Sequence, residues 1–372
     1  MDQSNHIVEN ASSIATSVLL PLAKDIDLLG KYPTEGLKVL GDNGYWGLTI
    51  PKKFGGLGGN HLTTVQVIEK LAEACPSTAM CFKMHLEAIN PIKEFATKEQ
   101  ANELLRPIAE GKLFAGVAAN EPRRGPGNIA SLAIQDESGN FRLENCHKSF
   151  VTSAHFADIF SLLAKHDPAT SEISNFVVNK NNPSTSITVE TTWNGFGMRG
   201  NDSCAVTFSG SIPKSNLVGA IGGWKDVRSI HVPFVFLSYA AVYLGIASGV
   251  FHCMTRAMKE RYHDSTDIPE SVRKHVGESR VILEATRSLV YRAANQVDNG
   301  NSDLELCMAS SISADETALA VADTAMLLGG GTSYAKQNPI ERYLRDAHAG
   351  RIMVPQDEQT KLNLGTASLV TM

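Results

Sequence analysis

The texture of the chain changes twice, and this constrains the fold more than any other feature. From Ile7 to about Ala109 apolar residues recur at spacings of three and four, as in Val65, Val67, Ile68, Leu71 and Ala72, which places them on one side of a helix. From about Phe114 to Val218 the pattern becomes short apolar runs broken by Gly, Pro, Asn and Asp. Examples are Phe150-Val151-Thr152, Ile159-Phe160-Ser161-Leu162-Leu163 and Ala205-Val206-Thr207-Phe208. From about Trp224 long helical patterns return. The order predicts an α+β chain with an N-terminal helical domain over 1–112, a middle β domain over 113–220 and a C-terminal four-helix bundle over 221–372. Because the strands follow one another without helices between them, the sheet is expected to be antiparallel, flat or closed, rather than a parallel dinucleotide-binding sheet.

Local signals sharpen these units. The glycines of Pro51-Lys52-Lys53-Phe54-Gly55-Gly56-Leu57-Gly58-Gly59 mark a tight loop inside the first helical block. In the last block Val276, Leu283, Val290 and Val297 recur at seven-residue intervals and share a helix face, either as bundle core or as an oligomer seam. Asp267-Ile268-Pro269 offers an N-cap and an early-turn proline for that helix, and Asp298-Asn299-Gly300 a glycine terminator.

Composition narrows the function classes. Hydrophobic residues make up 43 % of the 372 and charged residues 20 %, as in ordinary globular chains. The formal charge of −5 gives no attraction to nucleic acid or anionic membranes. The first residues lack a secretory pattern and no apolar run is expected to span a bilayer, so a cytoplasmic location is the expectation. Six cysteines lie far apart without CxxC or CxxH spacing, and eleven scattered histidines make no cluster in sequence, so no metal site is expected.

Several segments occur in an order that resembles the acyl-CoA dehydrogenase family, which includes related flavin monooxygenases. Pro51 to Gly59 is similar to its Pro-x-x-(Tyr/Phe)-Gly-Gly-x-Gly loop, and Ser77-Thr78-Ala79-Met80 with Met84-His85-Leu86 to one of its helices. Asn120-Glu121-Pro122 with Gly125 resembles the (Thr/Ser)-Glu-Pro-x-x-Gly element that lines the flavin ring. Lys148-Ser149-Phe150-Val151-Thr152-Ser153-Ala154 resembles the segment whose aromatic residue packs on the ring and whose threonine bonds to it. Gly197-Met198-Arg199-Gly200-Asn201, Leu328-Gly329-Gly330-Gly331 and Leu344-Arg345-Asp346-Ala347 extend the match over most of the chain. The resemblance implies a flavin cofactor, FAD or alternatively FMN, held by Asn120, Phe150, Thr152, Arg261, Gly329, Gly330, Gly331 and Gln356. It assigns Met84, Val235, Phe236 and Val354 to the substrate site. It further implies a homotetramer in which Arg261 serves a neighbouring subunit's cofactor, and an electron-transfer partner or flavin reductase.

Dehydrogenation of an acyl thioester needs a base for the α-proton. Counting from Arg345-Asp346-Ala347 places Val354 where the family keeps its glutamate, and the alternative glutamate position falls on Val235, beside Phe236. The next candidates for the base are Asp357 and Glu358, reaching inward if the Pro355 turn differs from the family's; the favoured reading makes both exposed helix-start carboxylates stabilised by the dipole. The leading expectation is an FAD-dependent oxidoreductase acting on an acyl thioester or similar acyl substrate. A flavin-dependent monooxygenase, with His85, His155, His348 or Asn120 handling the oxygen chemistry, and a catalytically silent flavin-binding protein are the alternatives.

Overall fold

The N-terminal unit folds where its caps are written. It comprises α1 (Gln3–Ile14), a π-helical turn over Ala15–Leu19, α2 (Leu20–Leu29), α3 (Thr34–Asp42), α4 (His61–Ala74), α5 (Pro76–Phe95) and α6 (Lys98–Ala109). Asn60 starts α4 by accepting the Thr63 N–H at 2.9 Å, and Thr97 with Gln100 forms a reciprocal capping box at α6. The face read from sequence is buried, with Val65, Val67, Ile68, Leu71 and Ala72 at most 1 % exposed. The structure, a computed structural model, describes residues 3–122, 128–353 and 356–370.

The middle unit is one eight-stranded sheet: β1 (Ala115–Ala118), β2 (Leu132–Gln135), β3 (Phe141–Val151), β4 (Ile159–Lys165), β5 (Ile173–Asn179), β6 (Thr185–Val189), β7 (Cys204–Ile212) and β8 (Leu217–Val218). The expected all-antiparallel sheet is corrected here. Both β1 and β2 run parallel to β4, while the other pairs are antiparallel. Parallel strands need a long crossover between them. Here the β2–β3 hairpin supplies it in place of a helix, so the sequence showed no helical texture to reveal it. Phe141, Phe160, Phe176 and Phe208 form the core of the sheet, packed edge to face in pairs at 4.9 and 5.3 Å.

The third unit contains α7 (Trp224–Arg261), α8 (Glu270–Asp298), α9 (Leu304–Gly329), the short α10 (Gly331–Tyr334), α11 (Pro339–Ala347) and α12 (Asp357–Val370). Leu283 and Val290 are buried and Val276 and Val297 partly so, all against the main core, which makes the heptad bundle core. Gly300 ends α8 at a φ of 76°, as read from sequence. The expected N-cap is corrected: Asp267 belongs to a separate turn capped by Asp264, and α8 starts after Pro269 without a side-chain cap. The expectation that no segment is long and apolar enough to span a bilayer is also corrected. Helix α7 passes that test, yet 94 % of its apolar window is buried within the protein, as befits the central helix of a bundle.

Helix α7 meets α4 at glycines. A Cβ on Gly245 would stand 2.5 Å from both the Ala72 Cβ and the Glu69 carbonyl oxygen, and one on Gly249 would stand 2.6 Å from the Glu73 carbonyl oxygen. Gly245→Ala therefore forces the two helices apart and is expected to cost about 1–3 kcal/mol in urea denaturation. Gly277→Ala, on an exposed face of α8 with nothing within 4 Å, is the control and should be neutral or stabilising.

Candidate active site

The site is framed by two buried ion-pair systems. Arg345, on α11, donates to both carboxylate oxygens of Asp27 at 2.9 and 2.6 Å, to Glu341 at 2.7 and 3.0 Å, and to the Phe196 carbonyl oxygen at 3.1 Å. Its neighbour Asp346 accepts the Met198 N–H at 2.6 Å. Burial pushes the Asp346 carboxyl up to about 7, against that N–H, which holds it down. Gly197 sits so close to α11 that a Cβ would lie 2.3 Å from the Arg345 carbonyl oxygen. The Arg-Asp-Ala motif thus clamps the loop around residues 193–201 to α2 and α11.

The second system lies in the sheet. Lys148 and Glu121 are both buried and paired at 2.7 Å. Glu121 also accepts from Ser131 and Ala130, and Lys148 donates to the Leu163 carbonyl oxygen. Burial alone would raise the Glu121 carboxyl, but the Lys148 ammonium and these donors hold it below the ordinary range. The pair fixes the start of the Asn120 segment beside β3, where Ser149 N–H meets the Asn120 carbonyl oxygen at 2.8 Å.

Beyond Lys148, β3 slips its register against β7, and Phe150 takes a φ of 54°. Ser153 and Met198 also have positive φ, at 63° and 50°. A bulky residue in this region is strained, and the bulge turns its side chain out of the sheet. Phe150 is left 68 % exposed. Strained backbone gathered at one place marks a constraint beyond folding.

These elements enclose a cavity of about 700 Å³. Its apolar wall comprises Met84, Phe150, Trp193, Phe196, Met198, Tyr239, Ile352 and Met353, and its polar groups include Asn120, Ser149, Thr152, Asn201, Ser203, His348 and Gln356. Thr152 Oγ1 and Ser203 Oγ lie 2.9 Å apart, each with capacity for a further bond. A bare aromatic face held at positive φ, beside two hydroxyls in a mostly apolar cleft, fits a planar ring with polar edges.

Of the residues expected to hold cofactor, Asn120, Phe150, Thr152 and Gln356 line this cavity, as does Met84 from the substrate set. Arg261 stands elsewhere, donating to the Leu328 and Gly329 carbonyl oxygens at 2.7 and 3.2 Å, so of the three glycines it meets Gly329, the last residue of α9. Val235 and Phe236 pack into the bundle core and do not line the cavity, because their stretch of α7 is covered by neighbouring helices. Val354 lies outside the described residues, as does Gly125. Trp193, Phe196, Ser203 and Tyr239 line the cavity without having been singled out; the Gly195 and Gly197 pattern beside Trp193 was the available signal.

The histidines divide. His85 is fully buried, accepting the Ala115 N–H at Nδ1 and meeting the Trp46 carbonyl oxygen through Nε2, and burial lowers it to about 4. His155 pairs with Asp202 at 2.8 Å, and Cys204 joins them, so three possible metal ligands converge that spacing did not reveal. Their hydrogen bonds to one another account for the cluster. Of the four expected oxygen-handling residues, Asn120 and His348 line the cavity, and His85 and His155 do not.

A comparison with known proteins settles the family. The acyl-CoA dehydrogenase N-terminal domain model matches residues 1–112, the middle domain model 117–211 and the C-terminal domain model 236–367. The chain belongs to the acyl-CoA dehydrogenase family. Its members are flavin-dependent oxidoreductases with FAD as cofactor, and the cavity's aromatic face and hydroxyls suit that ring. The chain is 29 % identical, over 94 % of its length and 93 % of the relative's, to a short-chain-specific acyl-CoA dehydrogenase of Clostridium acetobutylicum. It is 28 % identical to cyclohex-1-ene-1-carbonyl-CoA dehydrogenase of Geobacter metallireducens, over 96 % and 95 % of the two. Butyryl-CoA dehydrogenase of Megasphaera elsdenii shares the fold with a TM-score of 0.93 at 23 % identity, covering 99 % and 98 % of the two chains.

The carboxylates after residue 355 overturn one expectation. Glu358 is exposed beside Lys361, but Asp357 is only 4 % exposed, within hydrogen-bonding reach of Asp315, itself 2 % exposed. Burial and then the Asp357 carboxyl raise Asp315 well above the ordinary aspartate range. A carboxyl that binds its proton more tightly folded than unfolded makes stability fall as pH rises above roughly 4. Asp315→Asn removes that contribution, so its melting temperature is expected to fall less than wild type between about pH 5 and 8 in calorimetry.

Proposed function

We propose that this chain uses FAD to oxidise an acyl thioester, with His348 in place of the glutamate that the family keeps at the position of Val354. The observation that carries this reading is which proton acceptors the cavity offers. Among its described lining residues, Glu121 is bound by Lys148 and Ser131, and Arg345 by Asp27 and Glu341. Tyr239 holds its proton tightly through burial. His348 lies on the turn after α11, on the same wall as Ile352 and Met353, and is the side chain left to accept a proton. Relatives named as acyl-CoA dehydrogenases supply the substrate class.

Bound FAD supplies the hydride acceptor. Thr152 and Ser203 would hold its polar edge and Phe150 would pack on the ring, while the apolar wall excludes water, which would strengthen each of these contacts. His348 accepts the α-proton at an imidazole nitrogen. Turnover would need an electron-transfer partner to take up the two electrons.

Anaerobic mixing with acyl-CoAs is expected to bleach the bound flavin, and His348→Gln to slow bleaching about 10²-fold or more, the scale of a general base. If no thioester bleaches wild type, the dehydrogenase reading fails. Turnover that instead requires reduced flavin and oxygen supports the monooxygenase alternative.

The reading extends to a homo-oligomer. Arg261 and Gly329–Gly331 gather away from the cavity, next to Leu327 and Tyr334, which are 68 % and 82 % exposed. A second copy whose cofactor phosphates meet Arg261 would cover both side chains. Sedimentation should give an assembly larger than one chain. Arg261→Ala should weaken flavin retention by about 1–3 kcal/mol, the scale of charge-assisted contacts.

A further inference from the structure

Behind the wall that α5 and α7 give to the cavity stands a buried charge with no part in the chemistry above. Lys83 is fully buried, and its ammonium has three partners. One is the carboxylate of Glu87, a turn further along α5. The second is Met84 Sδ, at 3.5 Å, and the third is the ring of Tyr239, with its centroid 3.2 Å away. Glu87 in turn lies 4.0 Å from His231 Nε2, and Asn90 Nδ2 is 3.4 Å from His231 Nδ1. Burial lowers Lys83 to about 8, against the pull of Glu87, and lowers His231 to about 4. The Lys83 ammonium is thus paired within the cluster by Glu87, and burial keeps the His231 imidazole neutral.

Stability does not explain this arrangement, because apolar side chains of similar volume usually serve a helical core as well as a buried ion pair or better. Two of the three acceptors around Lys83 are soft ones, a thioether and an aromatic face, and both belong to residues that line the cavity. The Tyr239 hydroxyl is in a similar position, with Met84 Sδ at 3.6 Å as its hydrogen-bond partner. An oxygen entering between Met84 and Tyr239 would give the phenol a far better acceptor and draw on the ammonium behind it.

Charge decides what kind of oxygen. Glu87 already neutralises Lys83, so a carboxylate would bring an uncompensated negative charge into the core, and an ammonium would face Lys83. A neutral acceptor meets neither obstacle. We propose that Tyr239, backed by Lys83 and Glu87, forms a specificity subsite for a neutral hydrogen-bond-accepting oxygen, a hydroxyl or a keto or amide carbonyl, on the acyl chain of the substrate. The proposal rests on the thioester reading above. A site built to bond such a group rejects the plain alkyl analogue, because its own polar groups would stay poorly paired.

The test uses the purified FAD-loaded protein and pairs of acyl-CoAs of equal length, one plain and one bearing a hydroxyl or keto group. Affinity is read anaerobically from the perturbation of the flavin band. Wild type is expected to bind the oxygenated member about tenfold tighter or more, and Tyr239→Phe to lose most of that preference. The double variant Lys83→Met with Glu87→Met keeps the core filled and uncharged, and is expected to favour the plain chain. Circular dichroism and retained flavin confirm that each variant folds. Equal affinities in wild type, or variants that weaken both members alike, overturn the subsite and leave the thioester reading standing. No response to any thioester overturns both.

Discussion

Arg345 is the tie on which the rest of the site depends. Its guanidinium holds a carboxylate from the N-terminal unit, one from its own helix and a carbonyl from the loop that follows β6, so a single side chain joins three parts of the chain. The planar fork suits this task in a way that a lysine would not, because two parallel bonds to Asp27 fix direction as well as distance. Removing it would leave Asp27 and Glu341 with Arg199, 4.0 Å from Asp27, as the nearby counter-charge. The Asp346 carboxylate completes the clamp from the next residue, bonding the backbone at Met198.

How much of this was legible in the sequence depended on how local the cause was. Helix α4 and its buried face, the glycine end of α8 and the order of the three units came from spacing and caps, which act over a few residues. The mixed sheet did not, because β1 and β4 pair across a hairpin, and a hairpin looks the same whether or not it doubles as a crossover. Asp357 was misjudged for a similar reason. A carboxylate at a helix start is ordinarily exposed, and nothing near it in sequence announces that Asp315, on α9, will cover it.

The site itself was half legible. Phe150, Thr152, Asn120 and Gln356 were found because they sit in ordered motifs, and the structure brings them to one cavity. Tyr239 was missed because it lies within an uninterrupted apolar helix, where an aromatic residue reads as core. Lys83 was passed over too, although a lysine amid Phe82, Met84 and Leu86 conflicts with its surroundings. Conflicts of that kind between local sequence and global fold are where functional constraint tends to reside.

Helix α4 has one further debt. Its first N–H groups, at His61 and Leu62, are satisfied by the Asp298 carboxylate, 237 and 236 residues further along the chain. During synthesis the N-terminal unit therefore leaves the ribosome with the local Asn60 cap on Thr63 but without the acceptor for these two N–H groups, which arrives only when the end of α8 has been made. The segment that a family model marks as a separate domain is thus not a finished object by itself. Its completion waits for the last third of translation, and a chain truncated before residue 298 would expose this unmet helix end to whatever partner finds it first.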